Sequence, residues 1–170
     1  MSTKTIKLNG VASWSKVFFE NRDKRGFEDA YVPYDGAYTI DLTMDKANFE
    51  KLAETGAAKA SKMKQKEVEK LGETSLKFVR KHADRFEWSS GAPDVYRPDG
   101  EKWDFERDGV IPNGSKVTVE VDVYTTSKAT GTRLVSVFVT EKADMEEGAT
   151  PKVVPTTPTK PTMEEVGVLF

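Results

Sequence analysis

Positively charged and aromatic side chains alternate in several stretches of this sequence. Lysine and arginine can follow a phosphate backbone, and flat aromatic rings can stack on unpaired bases, at about 1–3 kcal/mol per base. Together they suit a surface that binds single strands of nucleic acid without reading their sequence. The candidate binding residues are Lys16, Arg22, Lys24, Arg25, Tyr31, Tyr34, Lys77, Arg80, Phe86, Trp88, Tyr96, Arg97, Lys102, Trp103, Tyr124, Lys128 and Arg133, with Lys81 and Arg85 in the same central stretch.

Some of the aromatic residues have a second interpretation, as packing residues. Tyr38, Phe78 and Phe138 follow the apolar parity of their segments, which predicts that they belong to the core. Trp14 and Phe18 fit a core and a binding groove equally well.

The remaining rings leave both interpretations open. Trp88 and Trp103 lie next to turns, where an indole is less easily buried, although tryptophan is usually largely buried. Tyr31 and Tyr34 could simply pin a loop to the body of the protein. The lysines between residues 59 and 70 do not share one helical face and alternate with glutamates, which is typical of a solvated surface.

The residues that could support catalysis are few. The chain has no cysteine, which excludes disulfides, thiolate metal sites and a cysteine nucleophile. Its single histidine, His82, removes most zinc sites and catalytic triads. Asp45 is explained as a helix cap and Asp41 as part of the polar face of a strand, and no phosphate-binding loop or nucleophile elbow is present. We therefore predict a protein that is not an enzyme and that needs no metal or other cofactor.

The first half of the chain predicts two strands followed by helices. Residues 3–19 have β character, with Asn9-Gly10 as a bulge or bend, and a long polar loop follows. Residues 37–44 alternate as a half-buried strand. Asp45 then caps a helix that extends to about Glu54, and a largely solvated helix is predicted over residues 57–71.

The second half predicts strands alone. Residues 76–80 form one strand, which the segment 82–88 continues. Residues 95–96 and 102–105 form a hairpin around Pro98-Asp99-Gly100. Residues 117–124 form the most regular strand, and 132–140 form a final strand that is central or covered. Five or six strands with one helical insertion favour a small closed barrel over a sandwich.

Charge and composition divide the chain near residue 142. Residues 143–170 carry five acidic residues and two lysines, a net charge of −3, which leaves +1 for residues 1–142. Any nucleic-acid site must therefore be a local cationic groove on a balanced surface. Proline and threonine dominate 148–162, and such a segment cannot bury enough apolar area to fold. We predict a domain over 1–142 and a flexible tail over 143–170.

Three segments resemble the OB-fold single-stranded DNA-binding proteins of bacteriophages, specifically those that serve the replication of short-tailed lytic phages. They are RGFEDAYVPYDGAYTIDLTMD at residues 25–45, VIPNGSKVTVEVDVY at 110–124 and GTRLVSVFVTE at 131–141. The three occur in the family's order, with a helix between strands where the family has one. The resemblance implies an all-β OB-fold barrel with a helical insertion, sequence-independent binding of single-stranded DNA, and roles in replication, recombination and repair.

The resemblance also implies a setting and partners. It predicts a location in the cytoplasm of an infected bacterial host, with no membrane association, and contacts between the tail and phage replication proteins such as a polymerase or helicase. The tail residues carried over are Glu164, Glu165 and Phe170, although this tail is less acidic and richer in proline and threonine than is usual for the family. A homodimer is left open.

A second hypothesis belongs to another class. A virion or adaptor protein could use the small barrel as a body and the end of its tail, Met163 to Phe170, as the part that inserts into a partner. Such a protein would have no affinity for DNA. A nuclease is disfavoured because one histidine and no acidic cluster at ligand spacing do not supply metal-assisted hydrolysis.

Overall fold

The computed structural model describes residues 3–143. The strands are β1 (Thr3–Lys16), β2 (Ala37–Asp45), β3 (Glu73–Lys81), β4 (Asp94–Tyr96), β5 (Lys116–Thr125) and β6 (Thr130–Glu141), and the helices are α1 (Lys46–Ala53), α2 (Lys62–Leu71) and α3 (Phe105–Asp108). None of the helices within this range has the length and apolar character needed to cross a membrane.

The strands form one sheet in the order β3-β2-β1-β5-β6-β4. All neighbouring strands are antiparallel except β4 and β6, which run parallel. The sheet curls so that β3 also approaches β6, where Arg80 Nη1 donates to the carbonyl of Leu134 at 3.2 Å. The segment between α1 and α2 supports this closure, because the N–H of Ala58 donates to the carbonyl of Thr130 at 2.9 Å. The result is a small barrel with α1 and α2 inserted between β2 and β3 and the short α3 between β4 and β5.

Strand β1 serves two neighbours. Residues 3–11 pair with β5, and residues 11–16 pair with β2. A Cβ at Gly10 would clash with the backbone carbonyl of Thr43 and the side chain of Leu42, so glycine at this position allows β2 to approach closely. The predicted bulge or bend at Asn9-Gly10 does not interrupt the pairing with β5, which runs in one register from Thr3 to Val11. The irregularity of β1 lies further along, as a register shift between Ser13 and Lys16.

The core lies inside the barrel, lined by alternating residues of each strand. On β5, Val117, Val119, Val121 and Val123 are buried, which confirms the predicted parity. Tyr38 and Phe78 are fully buried, as predicted. The core assignment of Phe138 is wrong: Val137 and Val139 occupy the buried parity of β6, so Phe138 lies half-buried on the outer face.

The helices begin at the caps that their sequences supply. The side chain of Asp45 accepts from the backbone N–H of Asn48, which confirms it as the cap of α1. Helix α2 begins after Ser61 and is shorter than the predicted 57–71, because residues 57–60 pack against the barrel as a turn. Val68 is its buried residue, and most of its surface faces solvent.

One prediction for the middle of the chain is wrong. The segment 82–88 does not continue β3, because His82 and Gly91 close a loop through a backbone hydrogen bond of 2.8 Å. The predicted hairpin around Pro98-Asp99-Gly100 does form: the N–H of Arg97 donates to the carbonyl of Glu101 at 2.7 Å, that of Trp103 donates to the carbonyl of Val95 at 2.9 Å, and Tyr96 and Lys102 form a bridge. Its second arm is shorter than the predicted 102–105, because Phe105 begins α3, and the other edge of β4 pairs with β6.

Candidate nucleic-acid interface

The loop between β3 and β4 holds two aromatic rings in solvent. A short 3-10 turn at Glu87–Ser89 carries Trp88 and begins directly after Phe86, and the hydroxyls of Ser89 and Ser90 donate to the carbonyl of Phe86 at 2.9 and 2.8 Å. The rings of Phe86 and Trp88 stack at 5.6 Å between centroids with an interplanar angle of 10°. They remain 48% and 59% exposed. Two large stacked rings exposed to this degree are available to a ligand.

Arg80 fixes this loop to the barrel. Its guanidinium donates to four backbone carbonyls, those of Gly91 at 2.9 Å, Leu134 at 3.2 Å, Trp88 at 3.0 Å and Ser90 at 2.9 Å. Burial lowers the pKa of this side chain, and the nearby charge of Arg133 lowers it further. The predicted role of Arg80 in contacting phosphates does not suit this arrangement, since its donors are engaged; it is a positioning residue.

Arg133 joins the loop to β5. Its Cζ lies 4.9 Å from the ring centroid of Trp88 and 4.8 Å from that of Tyr124, and Nη1 lies 3.9 Å from Asp122 Oδ2. The Arg133 side chain is only 15% exposed. Gly131 leaves room for the Tyr124 ring, because a Cβ at residue 131 would lie 2.8 Å from Tyr124 Cζ.

At the other end of the stacked rings, Arg85 Cζ lies 5.4 Å from the centroid of Phe86. Cations and rings therefore form a continuous series, which we call the ladder. The ladder consists of Arg85, Phe86, Trp88, Arg133 and Tyr124. Exposed Lys128 lies in the turn that follows Tyr124.

The long loop between β1 and β2 meets the ladder's loop at Tyr34. The backbone N–H of Ala83 donates to the carbonyl of Tyr34 at 2.8 Å, and that of His82 donates to Gly36 at 3.0 Å. Lys81 Nζ lies 4.2 Å from the centroid of the Tyr34 ring. A second pairing of cation and ring thus adjoins the ladder.

A further group of predicted residues is linked by charge, and it joins the long loop to the strands beside it. Burial raises the pKa of Tyr31, and the charges of Asp23 and Asp41 raise it further. Burial alone would raise the pKa of Asp23, but the backbone N–H groups of Gly26 and Arg25, together with Lys16 and Lys77, lower it below its usual value. The charges of Lys16 and Lys77 therefore act on Asp23, and the charge of Asp23 acts on Tyr31.

Two predicted residues are engaged inside the protein. Arg22 has a side chain only 7% exposed, with Nε donating to the carbonyl of Asp35 at 2.7 Å and its guanidinium 4.2 Å from the ring of Phe19. Trp103 is 7% exposed and donates its indole N–H to the carbonyl of Gly109 at 2.7 Å. Because both side chains are buried and bonded to backbone carbonyls, we remove Arg22 and Trp103 from the candidate interface.

The other predicted residues are dispersed. Arg25, at the tip of the long loop beside exposed Lys24, pairs with Asp29 at 2.8 Å. Arg97 pairs with Asp108 at 3.2 Å. Tyr96 and Lys102 lie at the β4 edge of the sheet, where they share a bridge.

Sequence reasoning missed Phe138, whose ring stacks on Tyr96 at 4.9 Å with an interplanar angle of 9°. A signal was present, because Phe138 has the opposite parity to Val137 and Val139. It also missed Phe19 and Phe27, which are exposed in the long loop.

Some predictions cannot be compared with the structure. Glu164, Glu165 and Phe170 lie outside the described residues. Within residues 3–143, no group of three or more histidine, cysteine, aspartate or glutamate side chains could hold a metal ion.

The architecture defines the chain as a β-barrel of the predicted class, all-β with a helical insertion. Among solved structures, it is similar to gp2.5, a single-stranded DNA-binding protein encoded by bacteriophage T7, with 19% identity, a TM-score of 0.56, and coverage of 85% of this chain and 96% of that chain. It is also similar to the C-terminally truncated single-stranded DNA-binding protein from bacteriophage Enc34, with 16% identity, a TM-score of 0.53, and coverage of 83% and 87%.

These likenesses confirm the OB-fold that the sequence resemblance predicted. A scan against protein-family models found no match, and a search of curated proteins found none either.

Proposed function

We propose that this protein binds single-stranded DNA without regard to base sequence, and that it does so without catalysis. The ladder is the observation that carries the proposal. Exposed rings at Phe86 and Trp88 are stacked in advance, and the cations of Arg85 and Arg133 hold them in place. Because every base has a flat face, such a surface tolerates any sequence, and each stacked base contributes about 1–3 kcal/mol.

The proposed path of the strand leaves the ladder in the direction of the long loop. It passes Lys81 and Tyr34, which adjoin the ladder through the backbone of Ala83, and reaches the group formed by Lys16, Tyr31 and Lys77. Exposed lysines along this path supply the charge that follows phosphates. The groove is local, which agrees with a net charge of only −2 for the whole chain.

The biological setting is proposed from the proteins with the same fold, which come from bacteriophages. We place this protein in the cytoplasm of an infected bacterial host, where it would protect single strands during replication, recombination and repair. In the same proposal, Glu164, Glu165 and Phe170 contact a replication protein or the DNA groove of another copy. Truncation after Lys142 should weaken partner binding or change DNA affinity; if it alters neither, the tail has no such role.

The direct test is a titration with an oligothymidylate in low salt, followed by tryptophan fluorescence and anisotropy. Binding should quench Trp88, and Trp88→Ala should weaken affinity by about 5- to 150-fold, the equivalent of one stacked base. Trp88→Phe is the matched control, because it keeps a flat ring at the same position and should retain most of the affinity. An oligothymidylate that left both fluorescence and anisotropy of the unmodified protein unchanged would end the proposal.

Salt dependence separates the cations from the rings. Each cation that neutralises a phosphate contributes about 0.7 to the slope of log affinity against log salt for single strands. Arg85→Gln should reduce the slope by about that amount, whereas Trp88→Ala should lower affinity at an unchanged slope. Lys66→Gln, the same change of charge on the solvated face of α2, is the control. If it reduced the slope as much as Arg85→Gln does, the groove would not be local.

A further inference from the structure

Four side chains form a second series on the outer face of the sheet, two stacked rings with a lysine at each end, across β1, β6, β4 and the segment after β4. Tyr96 and Phe138 are cross-strand partners, and their rings are nearly parallel at 4.9 Å. Lys7 Nζ lies 5.8 Å from the centroid of Phe138, and Lys102 Nζ lies 5.8 Å from that of Tyr96. We call this series the outer stack.

The outer stack has the composition of the ladder but does not touch it. Arg133 and Phe138 are five residues apart on β6, roughly 15 Å at strand spacing. Between them, β5 presents Asp122 and Glu120, which are paired with Arg133 and Ser136 across the strands. Two carboxylates on the direct route repel phosphates, so one backbone cannot run straight from the ladder to the outer stack.

The geometry points to a second stacking site for single-stranded DNA at the outer stack, distinct from the ladder. This inference rests on the proposed function. The strand neighbour of Phe138 on β5 is Thr118, a short side chain, which leaves room beside the ring. An ammonium 5.8 Å from a ring centroid is near the roughly 6 Å limit of a cation–π contact, so a base can displace it at little cost.

The two lysines would then serve the phosphates of that base. Lys7 is exposed on β1, and exposed Lys102 pairs with Asp94 at 3.0 Å. A long strand can occupy the ladder and the outer stack together by looping around the two carboxylates. The second contact is then intramolecular, which raises the affinity for long strands above that for short ones.

The test compares two lengths of labelled oligothymidylate on the full chain. One has about 5 nucleotides, near the lower limit for one OB-fold, and the other about 30, roughly twice the upper limit. Phe138→Leu should weaken binding of the long strand by about 5- to 150-fold and leave the short strand unchanged. Phe138→Tyr keeps a ring and should bind as the unmodified protein does.

The outcomes separate this inference from the function on which it rests. If the unmodified protein binds neither strand, the proposed function fails. A second outcome is that the protein binds both strands and Trp88→Ala weakens both. If Phe138→Leu and Phe138→Tyr then have the same affinity at each length, the outer stack only secures β4 to β6 and the inference is overturned. Equal weakening of both lengths by Phe138→Leu also overturns it, because the ring would then belong to the first site. Photocrosslinking of a long iodouracil-substituted strand should label Tyr96 or Phe138; labelling confined to the ladder would contradict the second site.

Discussion

Replacing Arg80 should release the loop that carries the ladder. In Arg80→Met, the carbonyls of Gly91, Ser90, Leu134 and Trp88 lose their common donor. The first three bonds are partly buried, and we assign about 1 kcal/mol to each; the exposed Trp88 bond is given nothing, because water replaces it. The sum, about 3 kcal/mol, corresponds to a fall in Tm of roughly 10 °C for a domain of this size.

The assay combines thermal unfolding with amide hydrogen exchange. Because the lost bonds are local, we expect faster exchange at Ser89, Ser90 and Gly91, whose N–H groups are bonded within the loop. Exchange of the backbone amides of strand β5 should be unchanged. DNA affinity should fall with the order of the loop. Arg80→Lys should not restore it, since an ammonium acts as a point donor and cannot reach four separated carbonyls.

The control for Arg80→Met is Arg107→Met, which removes the same charge from a surface pair with Asp108. The reasoning fails if the two variants share the same Tm and the amides of the loop stay protected in both. It also fails if Arg80→Met loses DNA affinity while the loop amides keep their protection, since Arg80 would then contact the strand itself.

Two further changes test the electrostatics and geometry of the proposed groove. Gly131→Ala should push the Tyr124 ring away and weaken DNA binding while the fold persists, because the new Cβ would meet only the end of that ring. In a Tyr124→Leu background, the same change should cause no further loss of affinity. An equal loss in both backgrounds would contradict the reasoning. Burial raises the pKa of Asp41 above 3.8, against the opposing charge of Lys77 and other lysines, so its ionised form destabilises the folded state. The stability contributed at this site should therefore increase as pH falls from neutral through the folded pKa towards 3.8. Asp41→Asn should remove that pH dependence, raise the free energy of unfolding at pH 7 and tighten DNA binding. Denaturant unfolding measures the stability. A lower stability of the variant at pH 7 would mean that the attraction between Asp41 and Lys77 outweighs the cost of burying the carboxylate.

The fold was largely predictable because its signals are local. The alternation of valines on β5 and the Asp45 cap each act over a few residues, and both appear in the structure as expected. The main error falls where distant groups decide the conformation. Residues 82–88 have the pattern of a strand, but Arg80 donates to the carbonyl of Trp88 and to those of Ser90 and Gly91 just beyond it, which holds the segment in a loop. The sequence also did not predict that β4 pairs with β6.

The candidate interface was less predictable than the fold. The sequence places cations beside rings but does not say which are free. Trp88 and Trp103 both lie next to turns, yet one ring is exposed and the other is buried on a bond to Gly109. Arg22 and Arg80 look like any surface arginine, and their guanidiniums serve backbone carbonyls instead.

The sequence by itself determined the all-β fold class with a helical insertion, the positions of most strands and the supply of rings and positive charges. These follow from short-range periodicity and composition, which the chain carries in any conformation. Only the tertiary structure decided that Arg133 lies between Trp88 and Tyr124, and that Phe138 faces outward against Tyr96. Those neighbours come from strands far apart in the chain, and their contacts exist only once the barrel has closed.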